Sequence, residues 1–169
     1  AYNAAGDLIA VTDVNNETTT YTYDADHRLL TAADAKGHTF VRNVYDGNGR
    51  VIEQYDADDN QWVFVYDEVD RRTLVTDPLG RTTTYQYDDR LRLIAEMDAL
   101  NQTASYTYDA DNNRTQIVNR RGHTTALAYD DRGNPLVITN TLGYTTTRDY
   151  DPRNNLTRET DPLGHTTVY

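Results

Sequence analysis

Short segments in which bulky and small polar side chains alternate recur along the whole chain. Residues 82–87 read Thr-Thr-Thr-Tyr-Gln-Tyr, residues 18–23 Thr-Thr-Thr-Tyr-Thr-Tyr, and residues 103–108 Thr-Ala-Ser-Tyr-Thr-Tyr. A period of two is the strand period, so Tyr85 and Tyr87 fall on one face, and Thr82 and Thr84 on the other. Tyr21 with Tyr23 and Tyr106 with Tyr108 repeat the pairing. Phe64 with Tyr66 and Leu127 with Tyr129 put another bulky residue first, and Arg42 and Arg148 read as exceptions at that place. A second kind of segment, such as 7–13 or 49–56, supplies apolar partners including Leu8, Ile52, Leu93 and Val137. Both kinds are short, rich in β-branched and aromatic residues, and bounded by turn residues, which is the signature of strands. One face is then aromatic and aliphatic, and the other is rich in threonine.

The segments keep a fixed register. Tyr-Asp pairs begin at Tyr23, Tyr45, Tyr66, Tyr87, Tyr108, Tyr129 and Tyr150, with a Tyr-Asn variant at Tyr2. These seven tyrosines mark the structural repeat. Their spacing is constant except between Tyr23 and Tyr45, where the step is longer by a single position. A fixed period of about 21 residues indicates an array of identical supersecondary units.

Two turns punctuate each unit. The first follows the tyrosine, as in Asp46-Gly47-Asn48-Gly49; the second lies eleven residues after it, as in Asp77-Pro78-Leu79-Gly80. Asp at the first turn position, Pro at the second and Gly at the fourth specify a type I turn followed by a left-handed residue. Asn112 and Asn154 suit that left-handed site. Leu91 does not, and strain or a change of turn is expected there. Each unit is therefore a β-hairpin joined to the next by a second tight turn. The fold class is all-β: an antiparallel meander of repeated β-hairpins, each of about 21 residues. Residues 1–169 read as a single array of about eight repeats, cut at both ends. A lone hairpin is marginal in water, so neighbours must share their faces and fold together. About sixteen strands would make a sheet roughly 75 Å long, and a twisted sheet of that size curls. A curved or spiral sheet is expected, with the tyrosine face as its concave lining.

Composition narrows the function. The chain has 14 Tyr and 26 Thr, but only two Phe, one Trp and one Met. Its net charge is −11, and 22 of its 27 acids are Asp, a turn residue, so the acidity is mainly a by-product of turns. It nevertheless argues against nucleic acid, where binding draws on phosphate neutralisation, and against anionic membrane surfaces. No run of 18 apolar residues exists to span a bilayer. Cysteine is absent, which removes disulfides and thiolate metal sites.

The unit Tyr-Asp-x-x-Gly-Arg-Leu, followed by Thr-Asp-Pro-Leu-Gly-x-Thr-Thr-x-Tyr-x-Tyr-Asp, resembles the Rhs or YD repeat of bacterial Rhs polymorphic toxins, the Tc toxin C component and teneurins. Residues 75–88 and 159–169 carry it most closely. The resemblance implies a sheet spiralling into a hollow shell, here a partial YD-repeat shell. It implies a wall segment whose partners are the rest of the parent shell and an enclosed C-terminal toxin domain. It also implies a bacterial protein that is secreted or held at the cell surface and delivered by a secretion system. Toxin members end their shell with aspartates that release the enclosed domain. No such region is found here, and Asp77 and Asp161 belong to turn motifs.

Candidate chemistry is sparse. His38, His123 and His165 share one repeat position and read as solvated turn histidines, because units two apart are too distant to share an ion. Residues 56–60 imitate a calcium loop, but its sixth and twelfth places hold Gln61 and Asp67. The only serine, Ser105, lies in a strand with nothing to activate it. No catalytic residue, metal site or cofactor is expected, and the chain does not read as an enzyme. The alternative function is a carbohydrate-binding or adhesive surface, with Tyr21, Tyr85 and Tyr106 as glycan-stacking residues and the threonines bonding hydroxyls. Arg28, Arg50, Arg71 and Arg92 are expected to pair with turn aspartates. Open edge strands are expected to allow edge-to-edge self-association.

Overall fold

The computed structural model describes residues 1–169 and consists of strands and tight turns. Sixteen strands follow chain order in an antiparallel meander, as the alternation and turn spacing require. They fall into two compact units, residues 1–83 and 84–169. The first contains β1 (Ala10–Thr12), β2 (Thr18–Tyr23), β3 (Leu29–Ala33), β4 (Thr39–Tyr45), β5 (Val51–Tyr55), β6 (Gln61–Asp67) and β7 (Arg72–Thr76). β8 (Thr82–Tyr87) begins there and ends in the second. The second continues with β9 (Leu93–Met97), β10 (Thr103–Tyr108), β11 (Arg114–Val118), β12 (Thr124–Tyr129), β13 (Pro135–Thr139), β14 (Thr145–Tyr150), β15 (Leu156–Thr160) and β16 (Thr166–Val168).

One register rule holds in every Tyr-Asp hairpin: the residue before the tyrosine faces the residue eight beyond it. Thr22 pairs with Thr31, Val44 with Glu53, Val65 with Leu74, Gln86 with Ala95, Thr107 with Gln116, Ala128 with Val137, and Asp149 with Arg158. The tyrosine itself usually faces the sixth residue beyond it, as Tyr45 faces Val51, so a bulge skips the seventh (Leu30, Ile52, Ile94, Thr115, Leu136 or Thr157). The bulge strengthens local twist and releases a backbone carbonyl from the ladder. Only the Tyr66 hairpin differs. It pairs without a shift, and its spare residue enters the turn, where Arg71 takes the left-handed site (φ 50°) in place of the residue before it.

The one longer step, from Tyr23 to Tyr45, has a local explanation. Between β3 and β4 the register jumps from Ala32–Val41 to Ala33–Thr39, so the additional residue, Phe40, is a second bulge. The turn before it keeps the standard geometry, with Gly37 N–H bonded to Asp34 C=O and Asp34 N–H to His38 C=O. The exception expected at Arg42 is also corrected: by count along the chain the position two before Tyr45 is Asn43, which faces Gln54.

Within each unit the strands contact only their neighbours in chain order, and no large side chain is fully buried. Ala32 and Ala104 are the buried apolar residues, and Asn43 and Asn134 the buried polar ones. In β2, β12 and β14 the tyrosine-face residues are half-buried while the two residues that lie between them on the other face are exposed. The cross-strand pairs Tyr106–Ile117, Leu127–Ile138 and Phe64–Val75 share the tyrosine face. On the opposite face, threonine hydroxyls bond across strands, as in Thr22–Thr31, Thr76–Thr82 and Thr139–Thr145. Tyr55 departs from the pattern. It lies opposite Arg42 and Gln61, away from the other tyrosines, with the Arg42 guanidinium 3.6 Å from its ring centre.

Leu91 adopts the left-handed conformation (φ 60°) in a turn of unaltered geometry: Leu91 N–H reaches Asp88 C=O at 3.1 Å, and Asp88 N–H reaches Arg92 C=O at 3.0 Å. The turn imposes its backbone on the residue, so the strain is borne by Leu91. Replacing Leu91 by Gly is expected to raise stability by about 0.5–1 kcal/mol once glycine's greater unfolded-chain entropy is subtracted. Urea denaturation of the two proteins measures the difference.

Candidate functional site

The repeated Tyr-Asp corner is the best-defined constellation in the chain, and it is built from the aspartate outward. One carboxylate oxygen of Asp24 accepts the N–H groups of Asp26 and Arg28. Asp46, Asp88, Asp109, Asp130 and Asp151 bind the corresponding pairs. The other oxygen takes the side chain four residues on: Arg28 Nε at 2.6 Å, Arg50 Nε at 2.9 Å, Arg92 Nε at 2.7 Å, or Asn134 Nδ2 at 2.9 Å. Only a short side chain with two acceptor oxygens can satisfy both sets of donors, which is why Asp recurs here. At the Tyr66 corner, Asp67 instead accepts Asp70 N–H and the Nε of Arg72. There Arg72 is a partner of the turn aspartate.

These bonds hold the carboxyls below their ordinary range. For Asp24 and Asp46 the backbone N–H of Arg28 or Arg50 is the leading cause, with the arginine side chain adding to it. Asp130 is lowered to about 2, first by the Asn134 side-chain amide and then by backbone N–H groups.

The tyrosine locks one hairpin to the preceding one. Tyr23 Oη donates to Leu8 C=O at 3.0 Å, Tyr45 Oη to Leu29 C=O at 2.8 Å, and Tyr66 Oη to Val51 C=O at 2.8 Å. In the second unit, Tyr108 Oη donates to Leu93 C=O at 2.8 Å and Tyr129 Oη to Arg114 C=O at 2.9 Å. For Tyr45, Tyr66, Tyr108 and Tyr129 the acceptor is the residue at the start of the preceding bulge. Arginines complete the lock. Arg28, held by Asp24, lies over the Tyr45 ring at 4.9 Å; Arg50 lies over Tyr66 at 4.7 Å, and Arg92 over Tyr108 at 4.8 Å. Aspartate fixes arginine, arginine covers the next tyrosine, and that tyrosine reaches back to the bulge. Tyr87 and Tyr150 occupy the same corner position, facing Leu93 and Leu156.

The residues singled out for sugar stacking are placed apart from this lock. Tyr21 faces Ala32, Tyr85 faces Glu96, and Tyr106 faces Ile117, each half-buried on the tyrosine face. The Arg114 guanidinium lies 4.8 Å from the Tyr106 ring centre. The turn histidines are held locally, His38 by Asp34 at 3.3 Å and His165 by Asp161 at 2.9 Å. The Asp56 carboxylate is occupied by the backbone N–H groups of Asp58 and Asn60 and the Asn60 side chain. The bulge-carbonyl lock was missed by sequence reasoning, because its acceptor is a backbone carbonyl in a different hairpin.

The sequence matches the RHS Repeat family over residues 2–39, 45–82, 66–91, 87–124 and 129–166. The chain belongs to the RHS repeat family. Its fold also matches solved structures. A crystal structure of TcdB2-TccC3-TEV superposes with a TM-score of 0.74 at 17% identity, over 96% of this chain and 10% of that one. TcdB2-TccC3-Cdc42 gives 0.67 at 12% identity, over 95% and 12%. A Photorhabdus luminescens Tc holotoxin pore gives 0.57 at 19% identity, over 99% and 9%. The RHS array thus spans about a tenth of each of these chains. At such low identity the likeness establishes the fold.

Two outcomes follow for this RHS array. Tyr108→Phe removes one hydroxyl and leaves the Leu93 carbonyl without that donor; a loss of about 1 kcal/mol is expected in urea unfolding. The depressed Asp130 carboxyl favours the folded state above its unfolded value of 3.8, and that contribution is lost as pH falls toward about 2. Stability is therefore expected to be flat above about pH 5 and to fall between about pH 4 and 2. Asp130→Asn should make the fall smaller, as read by thermal melts across that range.

Proposed function

We propose that this RHS array is a segment of the wall of a larger shell that encloses a polypeptide. The observation that carries the reading is lateral organisation: strands are tied to their chain neighbours through ladders and corners, yet no large side chain is fully buried. Strands stabilised in this way leave their faces for other parts of an assembly. Leu79, Leu100, Leu142 and Leu163 stand exposed at the tips of second turns, where more of the shell would cover them. The tyrosine face, less exposed than the threonine face in β2, β12 and β14, is the inward lining in this reading. Structures whose names identify Tc toxin components share the fold.

On this reading residues 1–169 form one array of repeats within a longer chain. Its partners are the rest of the shell and the enclosed polypeptide, and the parent is a secreted toxin. The role is mechanical isolation, and no reaction is assigned to the wall. The tyrosine rows at Tyr21, Tyr85 and Tyr106 serve as packing for this lining.

Limited proteolysis of the full parent protein tests the proposal. The wild-type shell should protect an internal polypeptide that is cleaved once the wall is opened by the paired substitution Tyr108→Ala and Tyr129→Ala. Equal cleavage of that polypeptide in both proteins would refute enclosure.

A further inference from the structure

The repeat supplies its own reference for every position, so a place where its chemistry inverts is visible without any relative. Most second turns are capped by Asp: Asp13, Asp34, Asp56, Asp77, Asp98 and Asp161. Asn119 and Asn140 replace it in two consecutive units. The backbone role is unchanged, because Asn119 Oδ1 still accepts the N–H groups of Arg121 (2.9 Å) and His123 (3.0 Å). What changes is the second atom of the side chain. In the other histidine turns it is a carboxylate oxygen that meets the histidine, as Asp161 meets His165 and Asp34 meets His38. In Asn119 it is an amide donor. The histidine is retained while its internal carboxylate is gone.

The surroundings sharpen this inversion. Residues 113–123 contain Arg114, Arg120, Arg121 and His123 and no acid, in a chain of net charge −11. Arg120 is neutralised by Glu96 and Asp98, and Arg114 lies over Tyr106 and Tyr108. Arg121 and His123 are exposed, and their turn offers them no carboxylate. His123 stands between two open grooves of about 450 and 310 Å³. The larger has Tyr106 and Ile117 in its lining together with Asn119 and Arg121; the smaller adjoins Asn140, the second inverted cap.

We propose that the Asn119–His123 turn is a receptor for one carboxylate of a polypeptide partner, an Asp or Glu side chain supplied from outside. That carboxylate would occupy the role Asp161 fills for His165, accepting from His123, Arg121 and the Asn119 amide, while its methylene stem rests in the groove beside Ile117. The overall negative charge repels partners rich in acid, so the site suits a single acidic residue in a largely neutral stretch. The partner being a polypeptide rests on the wall reading; the carboxylate chemistry does not.

The test uses the 169-residue chain and a capped Gly/Ser peptide carrying one Glu, followed by NMR titration at low salt. The Glu peptide should shift the Asn119–His123 amides, and its Gln counterpart should bind at least about tenfold more weakly. Asn119→Asp restores the cap used in most other second turns, so the fold is kept, and it places an internal carboxylate where the external one would sit. It should weaken binding by about tenfold or more, as should Arg121→Ala. Equal binding of Glu and Gln peptides, or unaltered binding by Asn119→Asp, would overturn the proposal. So would a response to a galacturonate oligomer with none to the Glu peptide, which would assign the site to acidic sugars. Proteolytic protection in the parent protein is a separate readout, so enclosure and this site can fail independently.

Discussion

The hydrogen bond from the corner tyrosine to the carbonyl of the preceding bulge is the interaction on which this structure depends. The chain has almost no buried interior: only Ala32 and Ala104 among its apolar residues are buried. Stability must therefore come from contacts between neighbours in the plane. The ladder supplies one set and the corner supplies the other. A bulge costs a ladder bond and frees a carbonyl; the next tyrosine recovers it, as Tyr45 does at Leu29 and Tyr108 at Leu93. The ring then lies beneath the arginine of the earlier turn, where its apolar face is shielded from water.

The aspartate and the tyrosine are thus parts of one device. Asp24 closes its own turn and orients Arg28, and Arg28 covers Tyr45 of the following unit. Because each corner is completed by its neighbour, the device runs along the array in one direction. This is the nearest-neighbour energetics of repeat proteins, expressed in polar contacts where others use a hydrophobic core. It explains a sequence rich in tyrosine and aspartate but poor in phenylalanine.

The array tolerates irregularity wherever the register of the corner survives. The Tyr66 hairpin moves its spare residue from the bulge into the turn and still pairs Val65 with Leu74. The longer unit before Tyr45 places Phe40 in a bulge of its own and fills the strand position with Asn43, whose amide joins Tyr45 at the Leu29 carbonyl. Leu91 accepts a left-handed backbone because the Asp88 cap fixes the turn whatever follows. The same logic makes the Asn119 and Asn140 caps informative, since they preserve the turn and alter only what it offers to its surroundings.

Taken alone, the sequence determined the all-β meander, the position of each turn and the alternation of faces. These depend on local rules: a side-chain period of two, an Asp able to cap its own turn, and a Gly or Asn able to take positive φ. Pairing of Arg28, Arg50 and Arg92 with the turn aspartates was legible for the same reason, because the partners are four residues apart. Only the tertiary structure decided what each tyrosine hydroxyl binds, since Tyr108 and Leu93 lie in different hairpins and meet through the bulge between strands. It also decided that the residue inserted between Tyr23 and Tyr45 is taken up as a bulge at Phe40, because the location of an inserted residue is settled by which backbone bonds the neighbouring strand can still make. Spacing in the chain fixes contacts within a turn, whereas contacts between hairpins depend on bulges that a one-dimensional pattern does not record.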